Sequence, residues 1–285
     1  MKNLSRFLLL IALVELIACQ RETPLANNGN ESEKIYNSVE LDQLRAFLRQ
    51  PSALYTTRIE ANLKCVGLSP SDTAKWTTDE TWVSKISNIY WNTDTPKRLT
   101  HINWDNKQVK GNLNLSNFSA LTKLYCRETF ITSLNVSGCT SLQDLHCWSY
   151  ELLKFPNVSS NTSLHELSFH SDQMYQSYDV SKNTELKYLD LKSTGLKSID
   201  VSKNTALTKL ELSYNGLTSL DVSKCTVLEY VSLAENNLSS TALNNLFTTL
   251  NSNTISSGKK IYVYTNPGFS TCNTTIATSK GWTVL

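Results

Sequence analysis

Two adjacent stretches of this chain are nearly the same sentence: LKYLDLKSTGLKSIDVSKNTA, Leu186 to Ala206, runs directly into LTKLELSYNGLTSLDVSKCTV, Leu207 to Val227. Counted from the first leucine of each, apolar residues are held at offsets 1, 4, 6, 11, 14 and 16, while offsets 2, 3, 5, 7 and 8 change freely. Held letters mark a core and free letters a surface. The same register places Leu99, Leu121, Leu142, Leu164, Leu186, Leu207 and Leu228 at offset 1, in steps of 22, 21, 22, 22, 21 and 21 residues. No ordinary globular fold demands such a period. A chain stacked on itself, coil upon coil, does.

Within each coil, offsets 3 to 8 alternate as a strand must, so 4 and 6 point inward and 3, 5 and 7 point to an open face. One coil buries little. Stacked at roughly 4.8 Å, the strands form one parallel sheet over a continuous core. Coils this short leave no room for an α-helix on the return path, which should be 3₁₀ turns or extended chain. The segment DVSKNT (Asp179 to Thr184, Asp200 to Thr205) closes the coil, with its Val inward. Asn161, Asn183, Asn204, Cys139 and Cys225 occupy one equivalent place in that turn and should fill or hydrogen-bond it.

The pattern LxxLxLxxNxL, present as LTKLELSYNGL at Leu207 to Leu217 and LEYVSLAENNL at Leu228 to Leu238, resembles the leucine-rich repeat. The expected fold is therefore a leucine-rich repeat solenoid, mostly β with a 3₁₀ or extended convex side and a parallel sheet of about eight strands. Both ends need caps, because an uncapped solenoid exposes core. Upstream, SVELDQLRAFLRQP places Leu41, Leu44, Phe47 and Leu48 on one helical face, with Ser38 expected as N-cap and Pro51 beyond the end. Trp76, Trp82, Trp91 and Trp104 follow. Downstream, Leu243, Leu246, Phe247 and Leu250 predict a short helix, GKKIYVYTNPG supplies an eighth strand with Ile261 and Val263 inward, and TTIATSKGWTVL should fold over the open end.

The chain opens with Lys2 and Arg6, the apolar run Phe7 to Val14, and LIAC ending at Cys19. That run is too short to span a bilayer and has the layout of a secretory signal. Ala18 before Cys19, with Leu16 three places ahead of it, resembles the lipobox of bacterial lipoproteins, which implies acylation of Cys19. Gln20 after the cysteine resembles outer-membrane sorting, so the expected location is the outer membrane or cell surface. Residues 20 to 34, QRETPLANNGNESEK, hold almost nothing to bury and read as a tether. The expected layout is a signal peptide over 1–18, tether over 19–34, N-terminal cap over 35–98, repeats over 99–250 and C-terminal cap over 251–285. Losing Lys2, Arg6 and Glu15 takes the formal charge from +2 to +1, which leaves no electrostatic case for nucleic acid.

The 21-residue form in ITSLNVSGCTSLQDLHC, Ile131 to Cys147, and LTSLDVSKCTVLEYVSL, Leu217 to Leu233, resembles the internalin J type of bacterial surface repeats and related repeats of secreted Bacteroidetes lipoproteins. The resemblance implies an exposed, monomeric adhesion or ligand-binding protein with no enzyme activity and no cofactor.

On the open face, Tyr125, Arg127, His146, Trp148 and His170 fall at offsets 5 and 7 of three successive coils and should form one patch, with Arg127 able to sit over Trp148. Tyr188, Tyr230 and Tyr262, with Tyr264, form a second and more dispersed group. Exposed aromatics beside Arg fit a protein ligand, and Trp and Tyr also fit stacked sugars, as in a glycan-capturing lipoprotein of a polysaccharide-uptake system. A purely structural envelope protein is a third reading. Asp144, His146 and Ser168 could approach one another, but a flat strand offers neither a sharply presented nucleophile nor an oxyanion hole. Cys126 and Cys147 share offset 6 one coil apart, within bridgeable range, and are expected to pack as core thiols, with a disulfide between them as the alternative. No His and Cys spacing points to a metal.

Overall fold

The structure, a computed structural model, describes residues 35–50, 59–76, 79–152, 154–170, 177–253 and 258–285. The leader, Cys19, the tether and Pro51 lie outside these residues.

The elements in chain order begin with α1 (Ser38–Leu48) and α2 (Ile59–Cys65), then strands β1 (Ile89–Trp91), β2 (Leu99–Asn103), β3 (Lys110–Asn114) and β4 (Lys123–Asn135). Next come β5 (Asp144–Ser149), β6 (Glu166–His170), β7 (Tyr188–Asp190), β8 (Lys209–Glu211) and β9 (Tyr230–Ser232). Helix α3 (Ser240–Thr249), β10 (Lys259–Tyr262), α4 (Thr275–Thr278) and β11 (Trp282–Val284) complete the chain.

The sheet order is β1-β2-β4-β5-β6-β7-β8-β9-β10-β11. Its eight coil strands, β2 and β4 to β10, run parallel in unbroken sequence, as a solenoid of one strand per coil requires. Antiparallel β1 closes one edge and β11 the other. The fold is the expected parallel β-solenoid of the leucine-rich repeat type, with little helix.

The inward register holds throughout. Leu121, Leu142, Leu164, Leu186, Leu207 and Leu228 are wholly buried, as are Leu124, Leu145, Leu167, Leu189, Leu210 and Val231 three places on. Each such side chain stabilises the fold by about 1.5–3 kcal/mol. One continuous core runs from Leu41 in α1 to Trp282 in β11.

Each coil turns twice, for reasons the sequence supplies. In the DVSKNT segment the carboxylates of Asp179, Asp200 and Asp221 accept from the main-chain N–H two residues on, all at 2.8 Å, forming Asx turns. At the other corner, Asn106, Ser193, Tyr214 and Glu235 past their strands, and Glu128 at the irregularity within β4, all adopt a left-handed φ between 55° and 59°. Non-glycine residues rarely sit there. Hydrogen bonds between coils hold them, for example Asn106 N to Arg127 O at 2.9 Å and Tyr214 N to Ala234 O at 2.9 Å. The return path is extended in the first coils, where β3 pairs with the second half of β4 to make a small sheet behind the main one. In later coils it is turns.

Both ends are covered. Helix α1 buries Leu41, Leu44, Phe47 and Leu48, and Phe47 stacks on Trp104 at 5.4 Å. Its N-cap is Asn37, whose side chain accepts from Glu40 N at 3.1 Å, and not Ser38 as the sequence predicts. Asn37 sits one residue earlier and reaches the orphan N–H equally well. Buried Glu40 fastens this cap to the first coil by accepting from Arg98 Nε at 2.7 Å and Leu99 N at 2.8 Å. At the other end Leu243, Leu246 and Phe247 of α3 are buried, and so are Ile261 and Val263. Lys259, buried beneath Trp282, donates to the carbonyls of Asn253 at 2.7 Å and Lys280 at 2.9 Å.

Candidate functional site

The strand register arranges the outward side chains in three rows that cross the sheet. Tyr125 lies beside His146 and His146 beside Ser168, which lies beside Asp190 and then Glu211. In a second row Lys123 is followed by Asp144, Glu166, Tyr188, Lys209 and Tyr230. In the third, Trp148 is beside His170.

These side chains are more engaged with one another than the alternation alone implies. His146, Ser168, Asp190, Glu211 and Ser213 all face outward, yet each is less than 9% exposed. Neighbours in adjacent rows bury them laterally. The expected exposure of His146 is therefore corrected: its ring lies between Tyr125 at 5.2 Å and Tyr188 at 6.4 Å, with Nε2 3.0 Å from Glu166 Oε2.

Charges are matched within the face. Arg127 donates to Asp105 Oδ2 through both Nε at 2.9 Å and Nη2 at 2.6 Å, while its main-chain N–H donates to Oδ1 at 2.7 Å. The expected placement of Arg127 over Trp148 is thus corrected, because a carboxylate one coil back that accepts charge-assisted hydrogen bonds outcompetes an indole face. Trp148 rests instead against His170 at 5.8 Å and Tyr150 at 5.7 Å. Lys123 pairs with Asp144 at 2.8 Å, and Tyr125 donates to the same carboxylate at 3.0 Å. Asp190 gathers four partners: His170 at 3.1 Å, the Tyr188 hydroxyl at 3.1 Å, Ser168 at 3.4 Å and Lys192 at 3.5 Å. Lys192 and Lys209 both pair with Glu211, and the Lys209 ammonium lies between the rings of Tyr188 at 4.8 Å and Tyr230 at 5.0 Å.

The protonation equilibria follow. Burial alone would raise the carboxyl of Asp190, but the hydrogen bond and charge of His170 and the charge of Lys192 outweigh it and hold it below the ordinary value. Glu211 is lowered in the same way by Lys192 and Lys209. Burial, reinforced by Asp190 and Glu211, pushes the Tyr188 phenol well up.

Five of the residues picked from sequence, Arg127, His146, Trp148, His170 and Tyr188, line a single open cleft of about 340 Å³. Tyr125 stands behind it against His146. Tyr230 and Tyr262 pair at 5.4 Å two and three strands farther on, outside the cleft. Ser168, weighed from sequence only beside Asp144 and His146, lines it as well, and sequence reasoning missed Asp105, Asn106, Glu128 and Asp190, which complete the lining. Reading down the rows would have found Asp105, since it shares offset 7 with Arg127 one coil away.

The possible constellation of Asp144, His146 and Ser168 does not assemble. Asp144 is taken by Lys123 and Tyr125, His146 by Glu166, and Ser168 by Asp190. Among the described residues no group of three or more His, Cys, Asp or Glu side chains is placed to hold a metal ion. Cys126 and Cys147 lie side by side in the core as free thiols, and each other's company together with burial pushes the Cys126 thiol well up.

No protein-family model matches this chain, and no curated protein is similar to it by sequence. Among solved structures it is similar to the functional domain of InlJ from Listeria monocytogenes, described as including a cysteine ladder, with 28% identity and a TM-score of 0.55. The match covers 65% of this chain and 38% of that one. The likeness supports a repeat protein of the leucine-rich type.

Proposed function

We propose that this chain is a recognition protein of the bacterial cell envelope, held by a lipid on Cys19 at the outer membrane or cell surface, that binds a macromolecular ligand on its concave sheet as a monomer and without catalysis. One observation carries the reading. The outward rows are ordered in advance by their own hydrogen bonds and ring contacts on the face opposite the inward leucines, which supports a surface prepared for something that docks there. A surface already ordered loses less entropy on binding. The likeness to InlJ makes a protein the first ligand to test. The aromatic and polar make-up of the cleft is the specific reason to test a glycan beside it. Among the described residues no helix is long and apolar enough to cross a membrane.

Two measurements test the proposal. Metabolic labelling with a palmitate analogue should tag the wild type and spare Cys19→Ala; label persisting in that variant sinks the anchor. For recognition, Tyr230→Ala and Trp148→Ala should weaken capture of a purified ligand, whereas Lys182→Ala, on the exposed turn of the DVSKNT segment, should not. The reverse pattern would move the site off the concave face.

A further inference from the structure

We infer that the cleft beside Trp148 is a subsite for neutral sugar rings, so that the ligand of the concave face carries a glycan at this point. The inference rests on the concave face being the recognition face.

Size is the first argument. About 340 Å³ lies at the small end of ligand pockets, enough for a ring or two but far short of a macromolecular interface. Composition is the second. No aliphatic side chain lines the cleft; its apolar wall is Trp148 and Tyr188, and the remaining lining is Asp, Asn, Arg, Glu, His and Ser. An apolar peptide anchor finds no greasy pocket here. A sugar ring does find what it needs, because its C–H face carries partial positive charge and meets the negative face of an indole.

Charge is the third argument and separates sugars from ionic ligands. Asp105 is paired with Arg127, and Asp190 lies 3.5 Å from the Lys192 ammonium. Among the described residues Glu128, on the exposed left-handed corner, makes no ion pair, so the cleft keeps one uncompensated carboxylate, which disfavours an anion. Its other donors and acceptors are locked in direction by their partners. A hydroxyl donates and accepts at once, so a neutral polyol matches such an alternation better than either charged class. Trp148 is steadied by His170 and Tyr150, which keeps the platform in place before binding.

The test titrates the folded chain with neutral oligosaccharides of two to six residues built from glucose, mannose, galactose and N-acetylglucosamine, followed by calorimetry. At least one series should bind saturably. Trp148→Ala should weaken it tenfold or more, Trp148→Phe should retain most of it, and Lys182→Ala should match the wild type. Should Trp148→Ala fail to fold, Glu128→Gln, a change on an exposed side chain, is expected to weaken binding several-fold. Failure of every series to bind, or binding indifferent to Trp148 and Glu128, overturns the sugar subsite. A panel of enzymatically deglycosylated extracellular proteins separates this failure from a wider one. Capture of a deglycosylated protein that Trp148→Ala abolishes would overturn the sugar subsite while keeping the concave face as the recognition face. Capture unaffected by changes at Trp148, Tyr230 and Tyr262 would overturn both.

Discussion

The side-chain amide of Asn183 donates to the main-chain carbonyl of Asn161, one coil earlier, at 2.9 Å, and a second N–H of the same amide reaches Val158 O at 3.0 Å. Asn204 repeats the pair on Asn183 O and Val180 O, and Asn161 does so on Cys139 O and Val136 O. Coil closure and coil stacking are thus one interaction, made inside the protein where water cannot substitute. Asn183→Ala removes two buried hydrogen bonds, leaving Val158 O and Asn161 O with only the main-chain N–H groups of Asn161 and Leu164, and should cost about 1–3 kcal/mol in urea unfolding. A loss within about 0.3 kcal/mol would mean that the ladder is ornamental. At the rung held by Cys225 the thiol lies 3.7 Å from Val201 O and Asn204 O, a weak contact. Cys225→Asn should therefore raise the unfolding midpoint.

Leu212 and Ser213, just past the end of β8, are chain neighbours, and both are buried. Leu212→Ala opens a cavity between coils and should cost about 2–5 kcal/mol. By alternation Ser213 should be a silent surface position. Instead it is 3% exposed and its hydroxyl is 2.6 Å from that of Ser232, so Ser213→Ala should cost about 0.5–1.5 kcal/mol. The silent control is Lys182→Ala, expected within about 0.5 kcal/mol. Denaturant midpoints for the three variants, ranked in that order, check the register.

The contrast between those two residues shows what the sequence could carry. Inward leucines, the DVSKNT corner and the cap helices were legible because each depends on local rules: a period, a turn residue, a face of a helix. The concave face was half legible. Its members, Arg127, His146, Trp148, His170 and Tyr188, follow from alternation alone. Their burial and pairing do not, because these depend on which residue stands one coil away in the same row. Arg127 finds Asp105 by that rule, and His146 finds Glu166 on the diagonal, one coil on in the neighbouring row. The strand pairing behind β4 was equally hidden, since a return path of this length admits either extended chain or turns.

Acid sensitivity should centre on Asp190. Its carboxyl is lowered in the folded state, so the stability it contributes is present above its unfolded value, near pH 3.9, and is lost as pH falls through the folded value. Glu211 acts in the same direction and in the same network. Unfolding free energy should hold steady from pH 7 to about pH 5 and fall below about pH 4, and Asp190→Asn should flatten part of that fall. An identical acid limb in wild type and Asp190→Asn would remove Asp190 from the account.

Thiol chemistry gives a test of the coil interior that needs no mutation. Burial pushes the Cys139 thiol up to about 12 and the Cys225 thiol up to about 11. Cys126 and Cys147 are buried as well. Only thiolate reacts with iodoacetamide, so at pH 8 these four should resist alkylation in the native protein, being both protonated and out of reach. Cys65 and Cys272 are only partly buried. Burial raises these two also, so they should react slowly, yet ahead of the other four. In denaturant all six should label together at the rate of free cysteine. Peptide mapping by mass spectrometry reads out the order. Native-state labelling of Cys126 or Cys147 as fast as Cys272 would mean that the coils open at the middle of the sheet, directly behind the cleft. Trp148 would then rest on a moving floor.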